Sequence, residues 1–460
     1  MSRSRTALVA GIAVFSLPAI LIADPFLPAE PRALGMGGAA VATADGPNSV
    51  MYNAALAAPS MRRYRTGLTF PSFGVSLADQ EEFIDAFDEF DDSNVIDRAE
   101  IDIRAFNDTF SLIQQRIDNE EYDSNEALEQ DISLLSADLN TLDGTREELK
   151  QRIEAMSDKP ITFEARASGA FGTRLGAWGT GLHYQVRGLG GGLFLLDEQD
   201  FGLIDGSFGL AANVVSCLEE AASGDEPDQD RLEECRDADL PDEDTTDDFV
   251  SEFQFQGAVM QELGFTLARD FHVGGRTLAV GVTPKLVDVD TFDYIVTVQD
   301  EDDVDFDDRR DSHSNMNVDI GVAMAIRDDM RVGASLRNLF PQSYGTVEGR
   351  DIDLDPQLRV GFSWDRRMFT LAADLDITEN KPLGFGPDTR FLSFGGELRP
   401  LSWIQLRAGY RINLASDSLI EDVASVGVGL SPGPIHVDIG AAGNSNEVSG
   451  YFQFGFRFGS

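Results

Sequence analysis

The chain has 460 residues, with 36 basic and 80 acidic side chains and a formal net charge of −44. So strong a negative charge excludes nucleic acid as an electrostatic partner and argues against anionic lipid as well. Only two cysteines and four histidines occur. A zinc site built from thiols is therefore not expected, and no cofactor or metal is predicted.

The first 23 residues have the features of a cleaved secretory signal. Arg3 and Arg5 precede an apolar run from Ala7 to Ala23, and a polar break follows. This arrangement predicts export with cleavage near Ala23, and the alternative is an uncleaved anchor helix. No later segment reads as an uninterrupted apolar run of helical spanning length. A chain of this kind that crosses a bilayer would do so with strands.

A glycine- and alanine-rich segment follows and carries the most specific motif of the chain. Residues 32–38 read Arg-Ala-Leu-Gly-Met-Gly-Gly, and Asn53 opens a turn with two alanines. A phosphate-binding loop would need a Lys-Ser or Lys-Thr ending, which is missing. The motif resembles the N-terminal plug of the FadL-like outer-membrane barrels, and among them the family called conjugal transfer protein TraF. That family has an Asn-Pro-Ala turn, so the turn here is expected to be softer.

The resemblance implies that residues 24–60 fold inside a barrel as a plug. The residues that it assigns to the plug are Arg32, Gly35, Met36, Gly37, Gly38 and Asn53.

After a first predicted strand at 61–78, residues 79–160 read as a helical hairpin on the extracellular side. Apolar residues recur at helical spacing from Phe106 to Ile117, and a heptad seam runs from Leu128 to Met156. The hairpin is expected to turn near Tyr122 and to kink or restart near Gly144. One interpretation is that the two apolar stripes only pack on each other. The other is a surface rod that contacts a partner protein.

Two acidic segments are predicted as loops, at 188–248 and 299–312. Cys217 and Cys235 lie in the first of them. In an oxidising compartment we expect these cysteines to form a disulfide, which closes a loop for about 3 kcal/mol. The second segment contains the aspartate-rich run 300–308, which is interpreted either as a solvated, self-repelling loop or as a divalent-cation site.

The remaining chain, 161–460, shows a two-residue periodicity. Between 405 and 414, for example, Leu406 and Tyr410 share one face while Arg407 and Arg411 share the other. Successive side chains of a strand point to opposite faces, so such segments are half-apolar strands. A soluble periplasmic β protein would bury the apolar face, whereas a transmembrane barrel turns that face to lipid.

The connections between these strands decide in favour of the membrane. Long and short connections alternate without exception along the predicted strands, as in bacterial barrels with long extracellular loops and short periplasmic turns. We therefore predict an all-β transmembrane fold, an antiparallel up-and-down barrel of about 14 strands in the outer membrane. Its partner on the outer face is then membrane lipid.

The polar face of each strand would line the lumen. This pattern directs nine charged residues inward, which are Arg331, Arg337, Arg359, Asp374, Asp376, Glu397, Arg407, Arg411 and Arg457. In one interpretation, opposite charges pair across strands and hold the lumen and plug together. In the other, they form a polar track for an anionic solute or for the carboxylate of an amphiphile.

An enzymatic function is not expected. His436 shares a strand face with Asp438, but no motif supplies a serine nucleophile. The first of two hypotheses for a barrel is passage of a small apolar or amphipathic compound past the plug. The second is a surface structure that supports conjugation, adhesion or secretion through the helical hairpin.

Overall fold

The structure is a computed structural model. It describes residues 27–79, 81–238, 249–297, 310–347, 349, 351–380, 388–415 and 422–459. The predicted signal peptide and the aspartate-rich run 300–308 lie outside the described residues.

Fourteen strands close into one antiparallel barrel, in which neighbours in space follow the chain and β1 pairs with β16. A separate two-stranded hairpin, β8–β9, lies between β7 and β10. The strands are β1 Thr66–Asp79, β2 Ile161–Leu175, β3 Trp178–Leu195, β4 Glu252–Val273, β5 Arg276–Thr297, β6 Arg310–Arg327, β7 Met330–Arg337, β8 Gln342–Gly345, β9 Asp351–Leu354, β10 Gln357–Asp365, β11 Phe369–Asp376, β12 Phe391–Leu401, β13 Ile404–Asn413, β14 Val423–Leu430, β15 Ile435–Gly443 and β16 Glu447–Phe458. The predicted barrel of about 14 strands is confirmed.

The wall carries apolar side chains outside and polar ones inside. Leu406 and Tyr410 are 44% and 43% exposed on the outer face, whereas Arg407 and Arg411 are each 6% exposed inside. A soluble sandwich would show the reverse pattern, so the outer face suits hydrocarbon.

Connections alternate between short and long, with one exception. The prediction placed a long connection before the last strand, but only residues 444–446 separate β15 from β16. Strand pairing continues through Ala442 with Ser449 and Gly443 with Val448, so the ladder uses up residues that the prediction assigned to a loop. The prediction of alternation without exception is therefore wrong at this connection.

The plug lies inside the barrel at the end that bears the short turns. It contains one short helix, α1 Pro31–Gly35, and two turns of 3₁₀ helix, Pro47–Met51 and Ala54–Ala57. Helices of four or five residues are too short to be stable in water by themselves. Contacts with the wall must therefore hold the plug in its conformation.

Five helices form a domain at the opposite end, where the long connections lie. They are α2 Phe83–Ser93, α3 Val95–Asp118, α4 Asn125–Met156, α5 Glu198–Ala221 and α6 Gln229–Arg236. Helix α4 runs through Gly144 without interruption, so the predicted restart there is wrong.

Tyr122 lies in the connection between α3 and α4 and is buried. Its pKa is raised above the ordinary value by burial and by the hydrogen bond that its hydroxyl donates to Asp131.

The predicted acidic loop at 188–248 is wrong over most of its described residues. Strand β3 continues to Leu195, and α5 and α6 follow. Helix α5 buries Ala211, Val214 and Leu218 at helical spacing against α3 and α4, and a disulfide joins Cys217 to Cys235. The charge of the flanking residues conceals this apolar stripe when the segment is judged by composition.

Helix α5 is also long and apolar enough to span a membrane, judged by length and composition alone. The sequence was expected to contain no uninterrupted apolar run of spanning length after residue 23, and this one is interrupted by Asp205 and Asn213. One face of the helix packs in the core of the helical domain, and most of its other residues are exposed or half-buried.

Candidate functional site

The lumen is filled in three layers, which can be followed along the inner face of β5. Ala279 and Gly281 lie against the plug, Lys285 lies in a layer of buried charge, and Val287 and Val289 belong to an apolar cluster. Because inward residues alternate, the three layers follow one another from the short-turn end towards the helical domain.

The plug touches the wall where the wall has glycine. A Cβ added at Gly409 would overlap the backbone of Met36 and Gly37, and one added at Gly281 would overlap the backbone of Ala54. Glycine permits this close approach of two backbones because it has no side chain. In the plug itself, Gly37 has a φ of +65°, which a residue with a side chain rarely adopts.

Asn53 connects the plug to the wall and also connects two segments within the plug. Its Nδ2 donates to Val41 O at 2.9 Å and to Val322 O of β6 at 3.1 Å, while its Oδ1 accepts from Ala55 N at 3.0 Å. The last contact caps the 3₁₀ helix Ala54–Ala57. The turn is thus held by three hydrogen bonds, although it lacks the proline of the related turn.

A chain of buried charges connects the plug to the wall on the side of β12 to β15. Arg32 Nε lies 2.9 Å from Glu397 Oε2, and Arg32 Nη1 donates to Thr43 O within the plug at 2.7 Å. Glu397 also accepts from Arg407 Nε at 2.8 Å, and Arg407 Nη1 donates to Asp438 at 2.5 Å. Each charge in this chain has an opposite partner, as buried ions require.

Three other predicted lumen residues contact the plug. Asp374 accepts from the backbone N–H groups of Ala40 and Val41, at 2.7 and 2.8 Å. Arg457 Nη1 lies 3.3 Å from Asp45 of the plug. Arg331 Nη1 donates to Ala42 O at 3.3 Å.

The remaining predicted lumen residues pair within the wall. Arg359 forms an ion pair with Asp376, Arg411 lies 2.8 Å from Glu447, and Arg337 lies 4.0 Å from Glu262. All nine predicted residues thus lie in the interior, where six of them pair with opposite charges across strands and Asp374, Arg331 and Arg457 contact the plug. Their service as a track for a solute stays a prediction.

The sequence prediction did not identify the layer of buried charge on the inner faces of the long strands β4, β5 and β6. Lys285 Nζ donates to Asn338 Oδ1 at 2.7 Å and lies 3.1 Å from Asp319 and 3.5 Å from Glu262. Lys285 is one of only four lysines, and it shares an inward face with Thr283 and Val287. This alternation of inward-facing residues along β5 is the signal in the sequence that could have identified Lys285.

The apolar cluster was also missed. The β8–β9 hairpin contributes Tyr344, Ile352 and Leu354, each at most 2% exposed. They pack on the inner face of β3 to β5, where the cluster includes Leu189, Ala258, Met260, Val287 and Val289. The hairpin is held there by Thr346 Oγ1, which donates to Asp293 at 2.8 Å.

Metal binding finds no support in the described part of the chain, where no group of three or more His, Cys, Asp or Glu side chains is arranged to hold an ion. His436 lies 2.6 Å from Asp438 and 2.9 Å from Arg457, within the charge network between plug and wall.

A closed barrel with an apolar outer face and a glycine-seated plug in its lumen defines the class of the protein as a plugged transmembrane β-barrel. The chain belongs to the family described as "F plasmid transfer operon, TraF, protein", whose model matches residues 50–376. No curated protein sequence matches the chain.

Solved structures with a similar course of the chain include the toluene transporter TbuX of Ralstonia pickettii, with 12% identity, a TM-score of 0.49, and coverage of 93% of this chain and 98% of that one. A Pseudomonas aeruginosa FadL homologue has 9% identity and a TM-score of 0.45, with 96% and 100% covered. The P. putida toluene transporter TodX has 9% identity and a TM-score of 0.42, with 94% and 99% covered. At this level of identity such likenesses carry no information about substrate.

Proposed function

We propose that this protein resides in the outer membrane and lets a small apolar or amphipathic compound pass when the plug moves. The observation that carries the proposal is the apolar cluster inside the extracellular half of the lumen. A water-filled pore has a polar interior. Here Met260, Val287 and Val289 form an apolar inner surface on which the β8–β9 hairpin packs.

An apolar compound gains free energy by leaving water for such a surface, about 0.8 kcal/mol for each buried CH₂ group. The charge layer around Lys285 and Glu262 lies directly below it. A compound with one polar end could therefore bury its chain against the cluster and direct its polar group towards the charges. This order of layers favours an amphipathic solute over a sugar or an ion.

The plug must move for passage, and the geometry offers a way to prevent this movement. A Cβ added at Gly181 of β3 would lie 3.5 Å from the Cβ of Val50 in the plug. That separation fits a disulfide. The double variant V50C/G181C should therefore lock the plug to the wall under oxidising conditions.

Uptake of radiolabelled toluene and oleate would be measured in cells that carry the locked variant. We expect uptake to fall to the level of cells without the protein and to recover after mild reduction. The wild type with and without reductant controls for the native disulfide, and V50C alone controls for loss of the valine. Equal uptake by locked and unlocked protein would contradict passage through the lumen.

A second candidate function follows from the family and from the helical domain. This domain is built from two insertions, has its own apolar core and carries the disulfide. A rigid extracellular domain of this kind suits contact with a partner protein, as a role in conjugation, adhesion or secretion would require.

Replacing residues 80–158 by a short Gly-Ser linker separates the two candidates. Asp79 and Ile161 are paired neighbours in β1 and β2, so a short turn can join them. If the protein lets a solute pass, uptake should continue after this replacement. If the second candidate is correct, mating or adhesion should be lost while the barrel remains folded.

A further inference from the structure

Although the net charge of the chain is strongly negative, one end of the barrel is positively charged. At the end with the short turns, residues 59–66, 174–178, 269–276, 327–331, 365–369, 399–404, 431–435 and 456–459 contain twelve arginines and four aspartates, a net charge of +8. We call these arginines the basic rim. They are Arg62, Arg63, Arg65, Arg174, Arg269, Arg276, Arg327, Arg331, Arg366, Arg367, Arg399 and Arg457.

Part of the basic rim lies on the outer face of the wall, among aromatic side chains. The Arg269 guanidinium lies 5.3 Å from the centre of the Trp178 ring and 5.9 Å from that of Phe271. Arg366 lies 5.7 Å from the ring centre of Trp364. Aromatic rings of this kind mark the interface between hydrocarbon and water, so these guanidinium groups lie at the depth of lipid headgroups.

Several of these charges have no ion-pair partner in the described part of the chain. Among the residues that the structure describes, Arg65, Arg269, Arg276, Arg327 and Arg367 are exposed and form no ion pair. Their neighbours Arg63 and Arg366 do pair, with Asp365 and Asp329. Uncompensated positive charge at an interface attracts anionic lipid, and the attraction falls off within a Debye length.

We infer that the exposed arginines of the basic rim that form no ion pair with a described residue, namely Arg65, Arg269, Arg276, Arg327 and Arg367, bind the anionic phospholipid headgroups of the periplasmic leaflet. Lipid is favoured over an acidic soluble protein because Arg269 stacks on Trp178, which is 44% exposed on the outer face of the wall. This inference rests on the membrane location in the proposed function but not on passage of a solute. The net charge of the whole chain argues against anionic lipid as a partner, but the local positive charge of the rim favours it.

The tryptophans provide the test, because all three of them (Trp178, Trp364 and Trp403) lie at this end of the barrel. The full chain would be reconstituted in vesicles of phosphatidylcholine containing brominated phosphatidylglycerol or brominated phosphatidylcholine. Quenching of tryptophan fluorescence then reports which lipid occupies the rim. We expect preference for phosphatidylglycerol, reduced by salt, and reduced on the order of fivefold for each arginine removed in R269Q/R276Q.

The matched control is R98Q/R104Q in helix α3, which removes the same charge at the other end of the molecule and should leave the preference unchanged. Heat-modifiable migration on detergent gels verifies that each variant is folded. Equal quenching by the two brominated lipids in the wild type would overturn the inference. Absence of quenching by either lipid would also overturn it, and would in addition remove the membrane location itself.

Discussion

The plug and the helical domain are both additions to the same barrel, yet they are held by different means. The plug meets the wall through glycines, through small apolar side chains such as Ala279, and through buried ion pairs such as Glu397 with Arg32. The helical domain instead has a core of Phe106, Phe110, Leu128 and Leu218 and a disulfide.

This difference means that the two parts depend on the barrel to different degrees. Apolar burial and a disulfide stabilise a domain from within. Buried ion pairs contribute little net free energy to stability, because the cost of removing both ions from water offsets their attraction. The ion pairs therefore add little to the free-energy cost of moving the plug, provided that they separate together into a hydrated space.

The largest effect is expected from G409V. Its side chain would overlap the backbone of Met36 and Gly37, which cannot shift as the end of a flexible side chain could. Overpacking in a core usually costs about 1–3 kcal/mol, and overlap with backbone should cost more. We expect the plug to leave its seat, measured as protease cleavage between residues 27 and 64 and as increased sensitivity of cells to a large antibiotic.

The matched control is G450V in β16, where an added Cβ meets nothing within 4 Å. It should behave like the wild type in both measurements. Protection of the plug from protease in G409V would show that the glycine contacts are not what seats it.

A smaller effect is expected from E397Q. Glu397 is 4% exposed and faces Arg32, Arg399 and Arg407, so the amide leaves three guanidinium groups without their shared carboxylate. Loss of one partner from a buried pair costs about 3–5 kcal/mol. The temperature of the heat-modifiable transition in detergent should fall.

The control for E397Q is E100Q in the helical domain. Glu100 lies 4.0 Å from Arg104, whose side chain is 55% exposed. An exposed pair is worth about 0–1 kcal/mol, so E100Q should leave the transition unchanged. A similar fall of the transition temperature in both variants would mean that loss of a lumen ion pair destabilises the barrel no more than loss of a surface pair.

The barrel could be predicted because its signal is local. Alternation in a segment such as 405–414 fixes both the strand and the face that turns outward. The inward direction of Glu397 and Arg407 followed from the same alternation, whereas their pairing with each other is shown by the register of β12 and β13. The plug motif at 32–38 resembled a known family closely enough to indicate the interior of the barrel.

What could not be predicted depends on contacts between distant segments. The approach of Lys285 to Glu262 and Asp319 follows from the register of three strands, which no single strand encodes. The strands β8 and β9 have four residues each, too few to show a period. Helix α5 was hidden because its apolar stripe lies in a segment that was judged by charge.

The smallest effect on the barrel is expected from C217A/C235A. The two cysteines are 18 residues apart, so the disulfide restricts a short loop and contributes about 3 kcal/mol by the chain-entropy estimate. That free energy belongs to the helical domain, because the bridge joins α5 to α6 and Cys235 is buried in the core that these helices share with α3 and α4. We expect faster proteolysis within residues 198–236 and an unchanged heat-modifiable transition of the barrel. If the barrel transition falls as well, the helical domain stabilises the wall, and the contrast between an independent domain and a dependent plug does not hold.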